Sequence, residues 1–302
     1  MHFGLITEKL HTAVPLSFVL AKVKDYTVFT KFRLASLVLL SAVAGYWLAA
    51  PSFSWSLAGY LLFGGFLVTG ASNGFNQIIE RDLDKLMERT KSRPLPTGKM
   101  NIAEGLALAT VMGISGIFIL WHYINPLSGI LGAFALVSYT AIYTPMKQIS
   151  PLAVYVGAIP GAIPPMIGYA AHTGQFGLEP GILFAVQFAW QFPHFWAIAW
   201  KGDEDYQKAG FKLLPSSGGK NKSSVIQILI SAFILIPVSL LPVYYGISGW
   251  VSGVICGITG LWFLYLAYML YARMDDKQAT KLMFASFIYL PIVLFAFVID
   301  KI

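Results

Sequence analysis

Apolar residues run along this chain in blocks, and most blocks are apolar around the whole circumference of a helix rather than on one stripe. Nine of them reach the roughly 20 residues that a helix needs to cross a bilayer. They are Arg33–Ala49, Trp55–Ile79, Ala103–Tyr123, Pro126–Pro145, Leu152–Ala171, Pro180–Trp200, Val225–Tyr245, Gly249–Tyr271 and Leu282–Ile299. None alternates in the manner of a membrane-barrel strand. The pattern predicts an all-α, polytopic bundle of nine transmembrane helices. Ahead of them a short run, Ala13–Ala21, is interrupted by Pro15 and followed at once by Lys22 and Lys24. It lacks the long core and cleavage site of a signal peptide. Residues 1–29 therefore read as an interfacial segment, and 30–302 as one membrane domain.

Composition adds what this chain is not. Of 302 residues 57% are hydrophobic and 12% charged, against about 25% charged in a soluble domain. That excludes a disordered chain and a nucleic-acid module, and the single Cys256 excludes a disulfide scaffold. The net charge of +7 is distributed unevenly: of 21 Lys and Arg residues, only Lys301 lies outside the N-terminal segment and the loops after spans two, four, six and eight. The excess of Lys and Arg assigns that side to the cytoplasm and the C-terminus to the other. With no Arg- and Ser-rich transit segment, the expected setting is a bacterial or archaeal plasma membrane. The loops after spans two and six, Glu80–Asn101 and Lys201–Ser224, hold most of the charge. Their placement four helices apart suggests a weak repeat, helices 1–4 and 5–8, with a ninth added.

Three places could carry chemistry. After span two, Asn76, Glu80 and Asp84 recur every four residues and so line one face of a helix. A column of amide and carboxylate oxygens suits Mg²⁺. The basic residues Lys85, Arg89, Lys91 and Arg93 follow, then Pro94-Leu95-Pro96. Acids for a metal followed by bases for phosphate describe a diphosphate site; a loop of hydrated interfacial charges accounts for the same composition. After span six, His194, Ile198, Lys201 and Asp205 share a helical face if the helix runs on to Asp205. His194 then lies about three turns deeper. An ionisable residue at that depth, beside Pro193, is a functional candidate, with a packed, hydrogen-bonded histidine as the alternative. Tyr143 and Lys147 flank Pro145; Lys147 is the only basic residue of its loop, so orientation alone explains it.

These stretches carry a resemblance. Asn76-x-x-x-Glu80-Arg81-Asp82-x-Asp84 with Met87-x-Arg89-Thr90-x-x-Arg93-Pro94-Leu95-Pro96 resembles the first signature of the UbiA superfamily of intramembrane prenyltransferases. Gln191-x-Pro193-His194-Phe195, Asp205-Tyr206-x-x-Ala209-Gly210-x-x-x-Leu214-Pro215, Tyr143-Thr144-x-x-Lys147 and Gly157-Ala158-x-x-Gly161-Ala162-x-Pro164-Pro165 are similar to its haem-farnesylating branch. There are three departures. Glu80 stands where most members have Asp, Lys201 replaces the earlier acid of a second D-x-x-x-D, and Thr30-Lys31-Phe32-Arg33 replaces T-K-P-R.

The resemblance implies a bundle around a central cavity capped by the loops after helices 2 and 6. It implies farnesyl diphosphate as donor, haem B as acceptor and haem O as product, with the substrates reached from the bilayer. Asn76, Glu80, Asp84 and Asp205 are then expected to hold Mg²⁺, with Asp203 or Glu204 as possible additions. Lys31, Arg33, Arg81, Arg89, Arg93, Tyr143, Lys147 and Lys201 are expected at the diphosphate, and His194 at the haem or a proton. A haem A synthase or terminal-oxidase assembly is the implied recipient of the product. Other readings make different demands. A quinone-precursor prenyltransferase expects the second D-x-x-x-D that Lys201 interrupts. A transporter or channel expects charges at mid-membrane, and a non-catalytic haem-binding assembly factor needs no Asn76/Glu80/Asp84 column.

Overall fold

The structure, a computed structural model, describes residues 15–216 and 218–302; the side chains of Arg33, Leu34 and Leu37 also lie outside the description. The first half of the interfacial segment, with His2, Lys9 and His11, therefore falls outside it. The described chain is almost wholly helical. An interfacial helix α1 (Leu16–Phe29) leads into α2 (Phe32–Ala49), α3 (Trp55–Ile79) and the short α4 (Arg81–Asp84). Next come α5 (Ile102–Ile119), widened by a π turn over Leu120–Ile124, and α6 (Pro126–Val137), whose π turn over Ser138–Tyr143 runs into α7 (Thr144–Met146). The second half holds α8 (Ala153–Thr173), α9 (Leu178–Lys201), α10 (Asp203–Lys208), α11 (Lys222–Ser239), α12 (Leu241–Tyr244), α13 (Trp250–Arg273) and α14 (Asp276–Ile299).

Eight described helices are long and apolar enough to cross a membrane, and they coincide with the second to ninth expected spans. The first expected span is α2, whose described apolar stretch, Val38–Ala49, is shorter than the rest. Local chemistry sets the starts of several helices. Ser54, Asn101, Asn125, Asn221 and Asp275 each accept a hydrogen bond from a backbone N–H in the first turn of α3, α5, α6, α11 and α14. Gly174, at φ 67°, closes α8 in the left-handed conformation.

Packing divides around a central space. Tyr46, Leu61, Leu120 and Ile163 centre one core among α2, α3, α6 and α8. A larger core holds Trp196, Trp200, Phe263, Tyr289 and Phe297 among α9, α11, α13 and α14. α2 and α8 cross closely: a Cβ on Gly45 would collide with the carbonyl oxygen of Pro165, and one on Gly168 with that of Ala42. α1 lies across the end of the bundle, where Phe29 packs with Leu95, Met100 and Ala109. Glu104 ties it down, accepting from Lys22 Nζ and Tyr26 Oη, both at 2.8 Å. Leu16, Phe18, Val19, Leu20 and Val23 on α1 are exposed.

Candidate active site

A cavity of about 470 Å³ opens between the two cores, walled by α2, α3, α6, α8, α9 and α14. Its mouth is charged and its depth apolar. Lys31, Glu80, Asp84, Arg89, Arg93 and Lys147 line the mouth together with Tyr143, Tyr206 and Phe211. Leu39, Leu61, Val68, Leu120, Ile163 and Ile167 line the depth, and Trp190, Gln191, His194, Phe195 and Phe287 lie on the α9 and α14 walls.

The end of α3 builds the acidic side. Asn76, Glu80 and Asp84 are 1%, 4% and 0% exposed, so the helical column read from their spacing faces inward. Asn76 Nδ2 donates to Thr144 Oγ1 at 3.2 Å, and that hydroxyl donates to the Tyr139 carbonyl at 2.9 Å within the π turn. Glu80 Oε1 accepts from Lys147 Nζ at 2.7 Å, a buried ion pair joining α3 to the chain after α7. The Lys147 ammonium also stands 4.7 Å from the Tyr143 ring centre, a contact worth about 0.5–2 kcal/mol. Asp84 Oδ2 accepts from Arg93 at 2.7 Å, while Oδ1 is buried with no partner. Burial raises the Asp84 carboxyl above the ordinary carboxylate range, against the pull of Arg93.

The basic side comes from the loop after α4 and from the α1–α2 joint. Lys31 adopts φ 50°, ψ 51°, a left-handed conformation rare for a non-glycine residue. The joint is clamped from α3: Asn73 donates to the Thr30 carbonyl at 3.1 Å, and Gln77 to the carbonyls of Val28 and Phe29 at 3.2 and 2.7 Å. Burial, reinforced by Arg93 and Lys147, pulls the Lys31 ammonium down to about 7. Arg89 sits 4.9 Å over the Tyr206 ring.

The second loop differs from its expectation. The helix does not continue to Asp205: α9 stops at Lys201, and Gly202 separates it from α10. Asp205 is consequently off the cavity wall, and its carboxylate accepts the backbone N–H groups of Glu88 at 3.0 Å and Arg89 at 3.1 Å, and Lys208 Nζ at 3.2 Å. Burial pushes Asp205 upward, but the N–H groups of Arg89 and Glu88 and the Lys208 ammonium outweigh it and hold its carboxyl below the usual range. It clasps the two loops together, and Tyr206 beside it faces the cavity. Lys201 is exposed, and Arg81 pairs outward with Asp82 at 2.7 Å; neither lines the cavity. Arg33's side chain lies outside the described residues.

Among the described residues, no three His, Cys, Asp or Glu side chains gather closely enough to form a metal cage. Glu80 and Asp84 with the unpartnered Oδ1 nevertheless fit Mg²⁺, which takes one or two carboxylates and fills its octahedron with phosphate oxygens and water. Asp205, held by backbone N–H groups, does not join them as placed.

Comparison with known proteins decides the family. The UbiA prenyltransferase family matches residues 38–290. The chain belongs to the UbiA prenyltransferase family. Its similar relatives include the protoheme IX farnesyltransferases of Cytophaga hutchinsonii, 48% identical over 92% of this chain and 97% of that one, and of Christiangramia forsetii, 45% identical over 92% and 93%. Among solved structures, that of a digeranylgeranylglyceryl phosphate synthase is similar with TM-score 0.76 at 20% identity, over 93% of this chain and 98% of its own. A UbiA homologue from Archaeoglobus fulgidus bound to GPP and Mg²⁺ is similar with TM-score 0.64 at 16% identity, over 91% and 99%; both likenesses concern the fold.

Of the residues expected from the sequence, Asn76, Glu80, Asp84, Arg89, Arg93 and His194, and Lys31, Tyr143 and Lys147 that only the resemblance implied, all line this UbiA-family cavity. Sequence spacing missed Tyr139, Gln187, Trp190 and Phe287, which line the same cavity, and Ser286, which holds His194 Nδ1 at 2.6 Å. The amides offered a signal: Gln187, Gln191 and His194 recur at four and three residues, a polar stripe inside an apolar span.

Proposed function

We propose that this chain transfers a farnesyl group from farnesyl diphosphate to a vinyl group of haem B, with addition of water, to form haem O and diphosphate. The observation that carries the reading is one cavity whose mouth sets four basic residues beside two buried carboxylates, over an apolar, aromatic interior. Such a cavity suits a substrate with an anionic head and a hydrocarbon tail. The near full-length identity to protoheme IX farnesyltransferases supports haem as the acceptor.

Each residue has a task in this reading. Lys31, Arg89, Arg93 and Lys147 neutralise the diphosphate as the allylic C–O bond lengthens, and stabilising charge that develops on a leaving group is the largest catalytic contribution such a site makes. Glu80 and Asp84, with Asn76, would hold Mg²⁺, which would offset further negative charge on the diphosphate. Trp190, Phe195 and Phe287 shelter the allylic cation with their ring faces, and the apolar depth keeps bulk water from it. The vinyl group attacks, forming a C–C bond and a second cation, which one water then quenches. Asp205 acts through the Glu88–Arg89 backbone rather than on the metal. The setting is a bacterial plasma membrane with the charged mouth on the cytoplasmic side, residues 30–302 acting as one unit and the product passing to a haem A synthase or terminal-oxidase assembly.

The test uses purified protein in detergent with haem B, farnesyl diphosphate and Mg²⁺, and mass spectrometry of the porphyrins. The expected product is haem O. Unmodified haem, with prenylated 4-hydroxybenzoate formed under matched conditions, would overturn the assignment.

A further inference from the structure

Halfway along the α9 wall, two buried side chains present hydrogen-bond acceptors with nothing to accept. Gln191 is 2% exposed and His194 4%, three residues apart on one helical face. The Gln191 amide is oriented by its own bonds: Nε2 donates to the Ala158 carbonyl at 2.9 Å and the Gln187 carbonyl at 3.3 Å. Oε1 therefore points the other way, into the recess that Gly161 leaves; a Cβ there would collide with it. His194 is oriented through Ser286. The Ser286 hydroxyl donates its only proton to the Met283 carbonyl at 2.5 Å, so the 2.6 Å contact to His194 Nδ1 has the imidazole N–H as donor. A neutral imidazole protonated on Nδ1 carries its lone pair on Nε2. Among the described residues neither Oε1 nor Nε2 takes a hydrogen bond.

We infer that Gln191 Oε1 and His194 Nε2 together hold the water molecule that adds to the haem side chain, with His194 as the base that accepts its proton. The inference rests on the reaction proposed above. Two free acceptors on residues three apart along α9, both lining the same cavity, suit a ligand with two donors. Water is the smallest; a propionate would set acceptors against acceptors, and haem iron would use only one of the pair. Held by both hydrogens, the water turns its lone pair outward. After farnesyl C1 bonds to the terminal vinyl carbon, the carbon next to the porphyrin ring is electron-deficient. The water oxygen bonds to that carbon, one proton passes to His194 Nε2, and Nε2 returns it to solvent as diphosphate and product leave.

Without this pair the cation loses a proton instead, giving a farnesylated porphyrin lighter than haem O by one water. Gln191→Leu is expected to raise the ratio of dehydrated to hydrated product about tenfold or more, the lower range for a positioned acid–base group. Gly161→Ala keeps both side chains but displaces Oε1, and Ser286→Ala releases the tautomer. Both are expected to move the ratio in the same direction, with Ser286→Thr restoring it. These variants decide the matter should Gln191→Leu fail to fold. A wild-type product ratio in Gln191→Leu, or in Gly161→Ala and Ser286→Ala, overturns the inference. So does a His194→Ala protein that loses the Soret shift of bound haem while its product stays hydrated, which would make His194 an iron ligand. If the wild-type protein forms no farnesylated haem at all, the proposed function fails and not this site alone.

Discussion

The Lys147–Glu80 pair joins the halves of the cavity mouth, and its energetics can be worked out in advance. The side chains are 9% and 5% exposed and 2.7 Å apart. Removing one member of such a pair leaves a buried charge without its partner, at a cost of about 3–5 kcal/mol. The two removals are not equivalent. Lys147→Met strands the Glu80 carboxylate in a cavity that also contains Lys31, Arg89 and Arg93, so the lower figure, about 3 kcal/mol, is expected. Glu80→Gln strands an ammonium among those same cations, so the upper figure, about 5 kcal/mol, applies. Replacing both exchanges an ion pair for a neutral contact and recovers stability to within roughly 1–2 kcal/mol of wild type. Equilibrium denaturation of the four proteins in one mixed-micelle system gives the coupling, which these figures put at about 6 kcal/mol. Turnover should behave differently, because the double variant lacks both a cation for the diphosphate and a carboxylate for the metal. It should fold and remain inactive. Single-variant losses that simply add, with coupling below about 0.5 kcal/mol, would refute a buried and interdependent pair.

Asp84 and Asp205 should separate in assay. Asp84→Asn removes a cavity carboxylate and is expected to abolish turnover, whereas Asp205→Asn loosens the Glu88–Arg89 backbone and should raise KM for the prenyl diphosphate several-fold while leaving Mg²⁺ dependence in place. Equal loss of Mg²⁺ dependence in both would return Asp205 to the metal site. Lys31 predicts a proton linkage. Its ammonium titrates at about 7 in the free protein, and a bound diphosphate favours the charged form. At pH 8, binding of a non-reactive farnesyl diphosphate analogue should therefore take up a proton, and affinity should fall as pH rises above 7. Calorimetry in two buffers of different ionisation enthalpy measures the uptake, which should vanish in Lys31→Met; uptake persisting there would remove Lys31 from the linkage.

The architecture was legible because membrane spans are announced by block length alone. The span expected at Trp55–Ile79 is α3 to the residue, and that expected at Pro126–Pro145 ends at Met146. The Asn76/Glu80/Asp84 column was legible for a similar reason: period four survives when α3 gives way to α4 at Glu80. The same reasoning fails one loop later. Whether α9 passes Lys201 depends on Gly202 and on what Asp205 can find to bind, and Asp205 finds N–H groups 116 and 117 residues away. No local pattern encodes that contact. Nor can periodicity say which side of an all-apolar helix faces a cavity, which is why Trp190 and Phe287 went unnoticed beside His194.

The polar positions of α3 explain why the mouth is assembled from distant pieces without a loop of its own. Asn76 and Glu80, with Asp84 beyond, look into the cavity, which Asn73 also borders, whereas Gln77, a fraction of a turn around the helix, looks away toward α1. A helix ends with carbonyls that have no N–H of their own helix to accept; in α1 that of Phe29 and, just beyond, that of Thr30 are satisfied by the α3 amides of Gln77 and Asn73, and that of Val28 by Gln77 together with the Lys31 N–H. Satisfying them from the side lets the chain turn sharply at Lys31 into a left-handed conformation, and that turn delivers the ammonium to the wall carrying Glu80. One helix thus places the carboxylates directly and a cation indirectly. The relative position of acid and base is set by the 3.6-residue repeat of α3, not by the flexibility of the loops. An intramembrane site for an anionic head group gains from that rigidity, since like charges around a diphosphate are stable only while the helix holds their spacing.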